Sequence, residues 1–215
     1  MVIIQNSIGE SLLLTNFTGP IHQAYCDRHG YTYSLLNLPV PTMPPAPSGL
    51  TVLSWSKIAG IIQTLNSVDD GEIVLSIDTD TLIITDNLLD NALPIDNDLG
   101  LVRTTRNLCG HPSQLNAGVM FIRKNASTVN FFNQCLALGP ITNGLGAPGG
   151  DQGRINDLIV NGNTGVSVIE IDSKYNSYAA SAVCLSPLIR SFHGEIDNNN
   201  TLRLLKICLS HLLIS

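Results

Sequence analysis

One continuous apolar run that ends in two acidic residues constrains the fold of this chain more than any other segment. The run is EIVLSI (72–77), and Asp78 and Asp80 follow it within the sequence DTDTLI. Strands that are buried on both faces have uninterrupted apolar runs of this length, and they are typical of parallel sheets covered by helices. We therefore predict a central strand over 72–77 with two carboxylates at its carboxyl end.

Other apolar runs of strand length alternate with segments of helical periodicity along the chain. The further strand-like runs are VIIQ (2–5), YTYSLL (31–36), LGLVRT (99–104), GVMFIR (118–123), VSVIEI (166–171) and PLIRSF (187–192), and helices are predicted over 55–65, 127–138 and 151–160. This alternation indicates an α/β protein with a mostly parallel sheet flanked by helices. Ligands of such sheets bind at the carboxyl ends of the strands, where Asp78 and Asp80 are predicted to lie.

Two helix predictions rest on local rules. The stretch before Gly30 has helical character, but Gly19-Pro20 predicts an interruption, because proline removes a backbone donor and crowds the preceding turn. Ser54 precedes the helix predicted over 55–65, so we expect its side chain to act as the N-cap.

Composition and charge narrow the classes of partner. The net charge is −6 and no Lys or Arg cluster is present, so nucleic acid is not an expected partner. No apolar stretch approaches the roughly 20 residues that a membrane span requires. The five cysteines are scattered and never spaced as C-x-x-C, which argues against a zinc site and a disulfide framework. We therefore expect a reducing compartment, the cytoplasm, which would be a host cytoplasm if the chain is viral.

The pair Asp78 and Asp80 suggests a metal site. Carboxylates two positions apart at a strand end can reach one cation, and hard oxygen ligands suit Mg²⁺ or Mn²⁺. Such a cation can neutralise the charge on a departing nucleotide diphosphate. Because the chain has few basic residues, a metal ion is a plausible source of the positive charge that an anionic diphosphate requires. A second pair, Asp96 and Asp98, precedes a strand instead of following one, and we interpret it as a solvated turn.

The same residues are compatible with other functions. In phosphatases of the haloacid-dehalogenase type, Asp78 would be the nucleophile and Asp80 the general acid/base, although the fifth position of the motif is Leu82 here. A sugar nucleotidyltransferase would need a glycine-rich, arginine-containing loop after the first strand, and QNSIGES (5–11) lacks it. A catalytically inactive module that binds sugar nucleotides is the remaining alternative.

Several segments in a fixed order carry a family resemblance. They are AYCDRHGYTY (24–33), WSKI (55–58), DTD (78–80), LNAGVMFIRKN (115–125), DQ (151–152) and SFHG (191–194). Together they resemble the GT-A glycosyltransferases, especially the retaining galactosyl- and xylosyltransferase family, and the compact form is similar to glycosyltransferase domains of large algal viruses (chlorovirus type). The resemblance implies a GT-A fold with one Rossmann-like, mixed, mostly parallel sheet. It also implies transfer of a hexose or deoxyhexose from a UDP-sugar to a glycan hydroxyl, with Mn²⁺ or Mg²⁺ and with retention of configuration.

The resemblance also assigns residues to the site. The implied metal ligands are Asp78, Asp80 and His193, with Asp78 also able to contact the ribose of the donor. The implied donor-binding residues are Gln5, Asn6 and Ser7 near the base, Lys57 near the nucleotide or diphosphate, Gly194 near the diphosphate, and Asn116, Ala117 and Gly118 around the sugar. The implied catalytic residues are Asp151, Gln152 and Asn116, and Asp151 is the one expected to stabilise an oxocarbenium-like centre. For Asp151 an N-cap, for Lys57 an ordinary helix-start lysine, and for His193 a buried or surface histidine remain alternatives.

The expected organisation is one domain over 1–215. Its nucleotide-binding half covers about 1–104 and its acceptor-binding half about 105–215. Cellular members of the family carry an N-terminal membrane anchor, which this sequence does not show. The apolar segment LRLLKICLSHLLIS (202–215) either docks on this domain or continues into further domains of a longer parent chain.

Overall fold

In the part of the chain that the structure describes, the fold consists of a six-stranded sheet, a smaller three-stranded sheet and four α-helices. The computed structural model describes residues 1–7, 12–42, 44, 54–103, 114–141, 150–178 and 187–192. The strands are β1 Val2–Asn6, β2 Thr32–Leu36, β3 Ile73–Ile77, β4 Thr81–Ile83, β5 Leu99–Arg103, β6 Leu115–Arg123, β7 Val168–Ile171, β8 Ser177–Tyr178 and β9 Ile189–Ser191. The helices are α1 Leu12–His29, α2 Trp55–Leu65, α3 Ala126–Leu138 and α4 Asp151–Asn161.

The main sheet is mixed and mostly parallel, as predicted. Its strand order is β2-β1-β3-β6-β5-β7. Strands β1, β2 and β3 are mutually parallel, β5 is parallel to β7, and β6 runs antiparallel to both β3 and β5. Because β6 is antiparallel, its amino end meets the carboxyl end of β3, and this brings 115–118 beside Asp78.

The main sheet is buried on both faces, as its continuous apolar runs predicted. Neighbouring strand residues point to opposite faces, so Ile3 joins one core cluster and Ile4 the other. The cluster around Ile4 contains buried residues of α2, α3 and α4, including Trp55. The cluster around Ile3 contains Tyr25 of α1.

The smaller sheet begins directly after the two acidic residues. Its order is β4-β9-β8, with β4 antiparallel to β9. Strand β4 starts at Thr81, so Asp78 and Asp80 lie in the short connection between the two sheets. We call this connection, residues 78–81, the Asp turn.

One sequence prediction about helices is wrong, and the prediction of Ser54 as the N-cap of α2 is confirmed in position but not in its side-chain hydrogen bond. Helix α1 continues through Gly19-Pro20 without interruption, because its buried residues, such as Tyr25 and Cys26, pack on the sheet and tertiary packing outweighs the lost backbone hydrogen bond. Ser54 precedes α2 but makes no side-chain cap hydrogen bond. Its hydroxyl instead accepts a hydrogen bond from the backbone N–H of Asp151, at 3.4 Å, at the start of another helix.

The second Asp-x-Asp pair has a structural role. Asp98 Oδ2 accepts a hydrogen bond from the Ser167 N–H at 2.9 Å, and Asp98 Oδ1 accepts one from Asn125 Nδ2. Asp98 therefore ties the start of β5 to the segment before β7 and to the N-cap of α3, while Asp96 is exposed. Within the part of the chain that the structure describes, no helix combines the length and hydropathy needed to cross a bilayer.

Candidate functional site

The Asp turn is fixed by backbone hydrogen bonds to both sheets. The N–H of Asp78 donates to the Gly118 carbonyl at 2.8 Å, and the N–H of Thr81 donates to the Asp78 carbonyl at 3.2 Å. The N–H of Phe192 donates to the Asp80 carbonyl at 3.0 Å. The carboxylates of Asp78 and Asp80 therefore project from a backbone with little freedom to move.

Lys57 lies at the centre of the site. Its ammonium group is 2.9 Å from Asp78 Oδ1 and 2.8 Å from Asp151 Oδ2, and it donates to the Ala117 carbonyl at 2.9 Å. The contacts with Asp78 and Ala117 are hydrogen bonds, and the contact with Asp151 is an ion pair. Burial opposes the charged form of Lys57, but the carboxylates of Asp151 and Asp78 outweigh it and raise the pKa of the lysine. Lys57 is therefore a permanent cation that joins α2, β3, β6 and α4.

The carboxylates of Asp78, Asp80 and Asp151 interact electrostatically. Burial raises the pKa of Asp78, the Lys57 ammonium opposes that rise, and the carboxylates of Asp80 and Asp151 add to it. Among the described residues, the Lys57 ammonium group pairs with Asp78 and Asp151, and Asp80 is close enough to Asp78 to affect its pKa. A further cation beside Asp78 and Asp80 would relieve their mutual repulsion, and the Asp78 side chain is 28% exposed and so accessible to one.

Asp78 and Asp80 are the described residues that could hold a metal ion. Asp78 and Asp80 provide the hard oxygen ligands that Mg²⁺ and Mn²⁺ prefer. Within the described ranges, no group of three or more His, Cys, Asp or Glu side chains is arranged to hold a metal ion. His193 and Gly194, predicted to complete the site, lie outside the described residues. The two carboxylates fit a cation whose remaining ligands come from elsewhere, for example from phosphate oxygens.

Gly118 leaves room for the oxygens around it. A Cβ at this position would lie 2.8 Å from Asn116 Oδ1 and 3.0 Å from Asp78 Oδ2. Any larger residue would push these oxygens away, so the close approach of β6 to the Asp turn requires glycine here. The Asn116 Oδ1 atom accepts hydrogen bonds from the Gly118 N–H at 2.7 Å and from Asn176 Nδ2 at 2.8 Å.

Helix α4 is docked on β6 by its own polar side chains. Gln152 Oε1 accepts a hydrogen bond from the Ala117 N–H at 3.0 Å. Asn156 accepts from the Leu115 N–H and donates to the Leu115 carbonyl. Gly150 is the N-cap of the helix and Asp151 its first residue, so the Asp151 side chain has no capping role and pairs with Lys57.

The three predicted residues at the end of β1 point in different directions. Gln5 is fully buried, and its amide donates to the Asp78 carbonyl at 2.9 Å. Asn6 donates to the Ser56 hydroxyl. Ser7 is fully buried and accepts from the Thr15 hydroxyl at 3.1 Å. The structure thus connects Gln5 directly to the Asp turn, whereas Asn6 and Ser7 bond to α2 and α1.

Two residues of the site were missed in the sequence. The Ser54 hydroxyl accepts a hydrogen bond from the Asp151 N–H at the start of α4, and the buried Asn176 donates to Asn116. A polar residue after the aromatic Tyr175 is too common a pattern to single out Asn176. The contact spans 60 positions, and no local rule predicts a partner at that distance.

Comparison with known proteins identifies the fold. No protein-family model and no curated protein matches the chain. A solved glycosyltransferase involved in the glycosylation of the major capsid of the chlorovirus PBCV-1 superposes with a TM-score of 0.73 at 14% identity, over 97% of this chain and 98% of that one. The galactosyltransferase LgtC, solved with donor and acceptor sugar analogs, superposes with a TM-score of 0.59 at 12% identity, over 100% and 96%.

A third structure supports the same conclusion. The apo form of the glycosyltransferase GlyE of Streptococcus pneumoniae TIGR4 superposes with a TM-score of 0.54 at 15% identity, over 98% of this chain and 60% of that one. Together with the observed strand order, these similarities show that the chain has the GT-A fold. The fold that the family resemblance implied is therefore confirmed.

Proposed function

We propose that this chain is a glycosyltransferase that transfers a hexose or deoxyhexose from a UDP-sugar to a glycan hydroxyl with the help of Mn²⁺ or Mg²⁺. The observation that carries the proposal is the cluster of Asp78, Asp80, Asp151 and Lys57 at the carboxyl end of β3. In open α/β sheets this edge is the usual ligand site. The shared fold with solved glycosyltransferases, one of them bound to sugar analogs, favours this function over the phosphatase and the nucleotidyltransferase.

The proposed metal ligands are Asp78 and Asp80, with His193 as the third. When bound, the cation would neutralise the negative charge that develops on the leaving diphosphate. Lys57 is ion-paired with Asp78 and Asp151 and donates a hydrogen bond to the Ala117 carbonyl, so we assign it to holding Asp78 and Asp151 in place. Gly194, Asn6 and Ser7 remain proposed donor contacts, and a structure with nucleotide bound would test them.

The proposed sugar pocket is formed by the start of β6 and the start of α4. Asn116, Ala117 and Gly118 lie beside Asp78, and Gln152 bonds to the backbone of Ala117. Asp151, ion-paired with Lys57, would present negative charge to an oxocarbenium-like centre. Retention of configuration is proposed on the resemblance to the retaining galactosyl- and xylosyltransferase family.

Donor hydrolysis tests this proposal before the acceptor is known. The purified chain is incubated with UDP-glucose, UDP-galactose, UDP-xylose and a UDP-deoxyhexose, with Mn²⁺ or with EDTA, and released UDP is measured. We expect slow release from one donor, dependent on the metal. Release of phosphate from simple phosphate esters, with no UDP formed from any donor, would favour the phosphatase instead. Metal-dependent UDP binding without turnover of any donor would favour the inactive binding module.

A further inference from the structure

A buried polar network connects α1 and the edge strand β2 to the Asp turn. Gln5 and Thr18 are fully buried. Gln5 Oε1 accepts a hydrogen bond from the Tyr33 hydroxyl at 2.8 Å. The Thr18 hydroxyl lies 3.3 Å from Gln5 Oε1 and 3.3 Å from the Leu14 carbonyl, so its single hydrogen is shared between these two acceptors. Gln5 Nε2 donates to the Asp78 carbonyl at 2.9 Å. We call the side chains of Gln5, Thr18 and Tyr33 the Gln5 relay.

The chemistry of the partners fixes the orientation of the Gln5 amide. A carbonyl oxygen only accepts, so the Asp78 carbonyl requires an N–H donor. If the amide were rotated by half a turn, its own oxygen would face the Asp78 carbonyl oxygen and the two would repel. Gln5 Nε2 must therefore face Asp78, which leaves Gln5 Oε1 to accept from Tyr33 and Thr18.

The surroundings of Tyr33 favour this contact. A Cβ at Gly19 would lie 3.3 Å from the Tyr33 hydroxyl oxygen, so a side chain there would crowd the hydroxyl that reaches Gln5. Burial raises the pKa of Tyr33, so the hydroxyl remains protonated and available as a donor. The relay is thus a set of hydrogen bonds to the fully buried side chain of Gln5, where a lost partner is costly.

We propose that Tyr33 and Thr18 position the Asp turn by fixing the amide of Gln5, which in turn holds the backbone of Asp78. The relay keeps the carboxylates of Asp78 and Asp80 aligned, although neither Tyr33 nor Thr18 touches them. The consequence for donor binding rests on the proposed function, but the effect on the turn does not. This assignment gives Gln5 a positioning role in place of direct contact with the nucleotide base.

Amide hydrogen exchange tests the effect on the turn without any ligand. Tyr33→Phe removes the hydroxyl and keeps the ring. Tyr25→Phe is the matched control, because it also removes a hydroxyl that donates a hydrogen bond. The acceptor of the Tyr25 hydroxyl is the backbone carbonyl of Asn87, at 2.7 Å, and not the Gln5 side chain. A neutral hydrogen bond contributes about a fivefold change in an equilibrium. We therefore expect exchange at the Thr81 and Asp78 amides to rise about fivefold in Tyr33→Phe, with Met120 in β6 unchanged.

Two outcomes of the exchange experiment would overturn the proposal. One is an equal increase in the amide exchange rates of Thr81 and Met120 in Tyr33→Phe, which would mean that the variant loses global stability only. The other is the same rise at Thr81 in Tyr25→Phe. If Tyr33→Phe does not fold, Thr18→Val removes the other hydroxyl while keeping side-chain volume, and Thr18→Ser, which retains a hydroxyl, should restore the wild-type rates at Thr81.

Metal-dependent nucleotide binding extends the test to function. The Mn²⁺ concentration for half-maximal UDP binding is measured by calorimetry in the wild type, Tyr33→Phe and Tyr25→Phe. We expect an increase of about fivefold in Tyr33→Phe and none in Tyr25→Phe. An unchanged Mn²⁺ requirement in Tyr33→Phe would refute the functional part of the relay. No UDP binding by the wild type would instead refute the proposed function. The amide exchange rates would still show whether the Gln5 relay positions the Asp turn.

Discussion

The ammonium group of Lys57 lies 2.8 Å from Asp151 Oδ2 and 2.9 Å from Asp78 Oδ1. One lysine of α2 therefore connects the carboxyl end of a central strand to the first residue of α4. The two carboxylates would repel each other without it. The two ion pairs of Lys57 therefore stabilise the site and hold the carboxylates that its proposed chemistry uses.

Replacing Lys57 with Met should destabilise the fold strongly. The change keeps the length of the side chain but leaves two buried or half-buried carboxylates without their partner, which costs about 3–5 kcal/mol of unfolding free energy. Urea unfolding measures the loss. Lys124→Met is the control, because Lys124 pairs with the exposed Asp70, and such surface pairs contribute about 0–1 kcal/mol. Equal losses in the two variants would mean that the Lys57 bridge contributes no more than a surface pair.

Replacing Gly118 with Ala should impair binding more than stability. The added methyl group would lie 3.0 Å from Asp78 Oδ2 and 2.8 Å from Asn116 Oδ1, so the carboxylate must move. We expect roughly tenfold weaker binding of UDP in the presence of Mn²⁺, measured by calorimetry, because the proposed metal ligand is displaced.

Gly30→Ala is the control for Gly118→Ala, because it should lower the stability of the fold without weakening UDP binding. Gly30 has φ of 68°, and no atom lies within 4 Å of the position that a Cβ would take there. Alanine at this position therefore costs about 1 kcal/mol of backbone strain but leaves the site untouched. Weakened UDP binding in Gly30→Ala, or unchanged binding in Gly118→Ala, would contradict the role given to Gly118.

The helices and strands of this fold could be predicted from the sequence more accurately than the contacts between them. The helix predicted over 55–65 matches α2, and the apolar run at 72–77 contains β3, because periodicity and burial are local properties of a segment. The antiparallel direction of β6 was not evident, since an apolar run has the same pattern in either direction. The continuation of α1 through Pro20 depends on packing against the sheet, which a local rule does not include.

Those residues of the candidate site that belong to a local motif could be predicted from the sequence. The roles of those that depend on long-range contacts could not. Asp78 and Asp80 could be identified because they follow a buried strand. The role of Lys57 depends on partners 21 and 60 positions away, Asp78 and Ala117, and on Asp151 farther along the chain. Gln5 was predicted to lie near the nucleotide base, yet its polar atoms face Asp78 and Tyr33. Side-chain direction at a strand end is decided by neighbours that the sequence alone does not reveal.

His22 should make the fold sensitive to mild acid. It is fully buried, Nε2 accepts a hydrogen bond from the Ile83 N–H, and burial lowers its pKa to about 3. The unfolded chain takes up the proton near pH 6.5 and the folded chain does not, so stability is lost as the pH falls from about 6.5 towards about 3. We expect a loss of about 2 kcal/mol from this residue between pH 7 and pH 5.

Urea unfolding of the wild type and His22→Gln at both pH values measures this contribution. Glutamine offers an acceptor to the Ile83 N–H but does not titrate. The loss of stability between pH 7 and pH 5 should therefore be about 2 kcal/mol smaller in the variant. The same loss in both proteins would show that His22 takes up its proton without unfolding.

The most direct test of the central claim is calorimetric titration of the wild type, Asp80→Asn and Asp96→Asn with UDP, with Mn²⁺ and with EDTA. Asp80 lies in the Asp turn, whereas Asp96 belongs to the other Asp-x-Asp pair and is exposed. We predict Mn²⁺-dependent UDP binding by the wild type and Asp96→Asn, and roughly tenfold weaker binding by Asp80→Asn, which loses the charge of a proposed metal ligand. UDP binding that is equal in all three proteins, or unaffected by EDTA, would contradict a metal-dependent nucleotide site at the Asp turn.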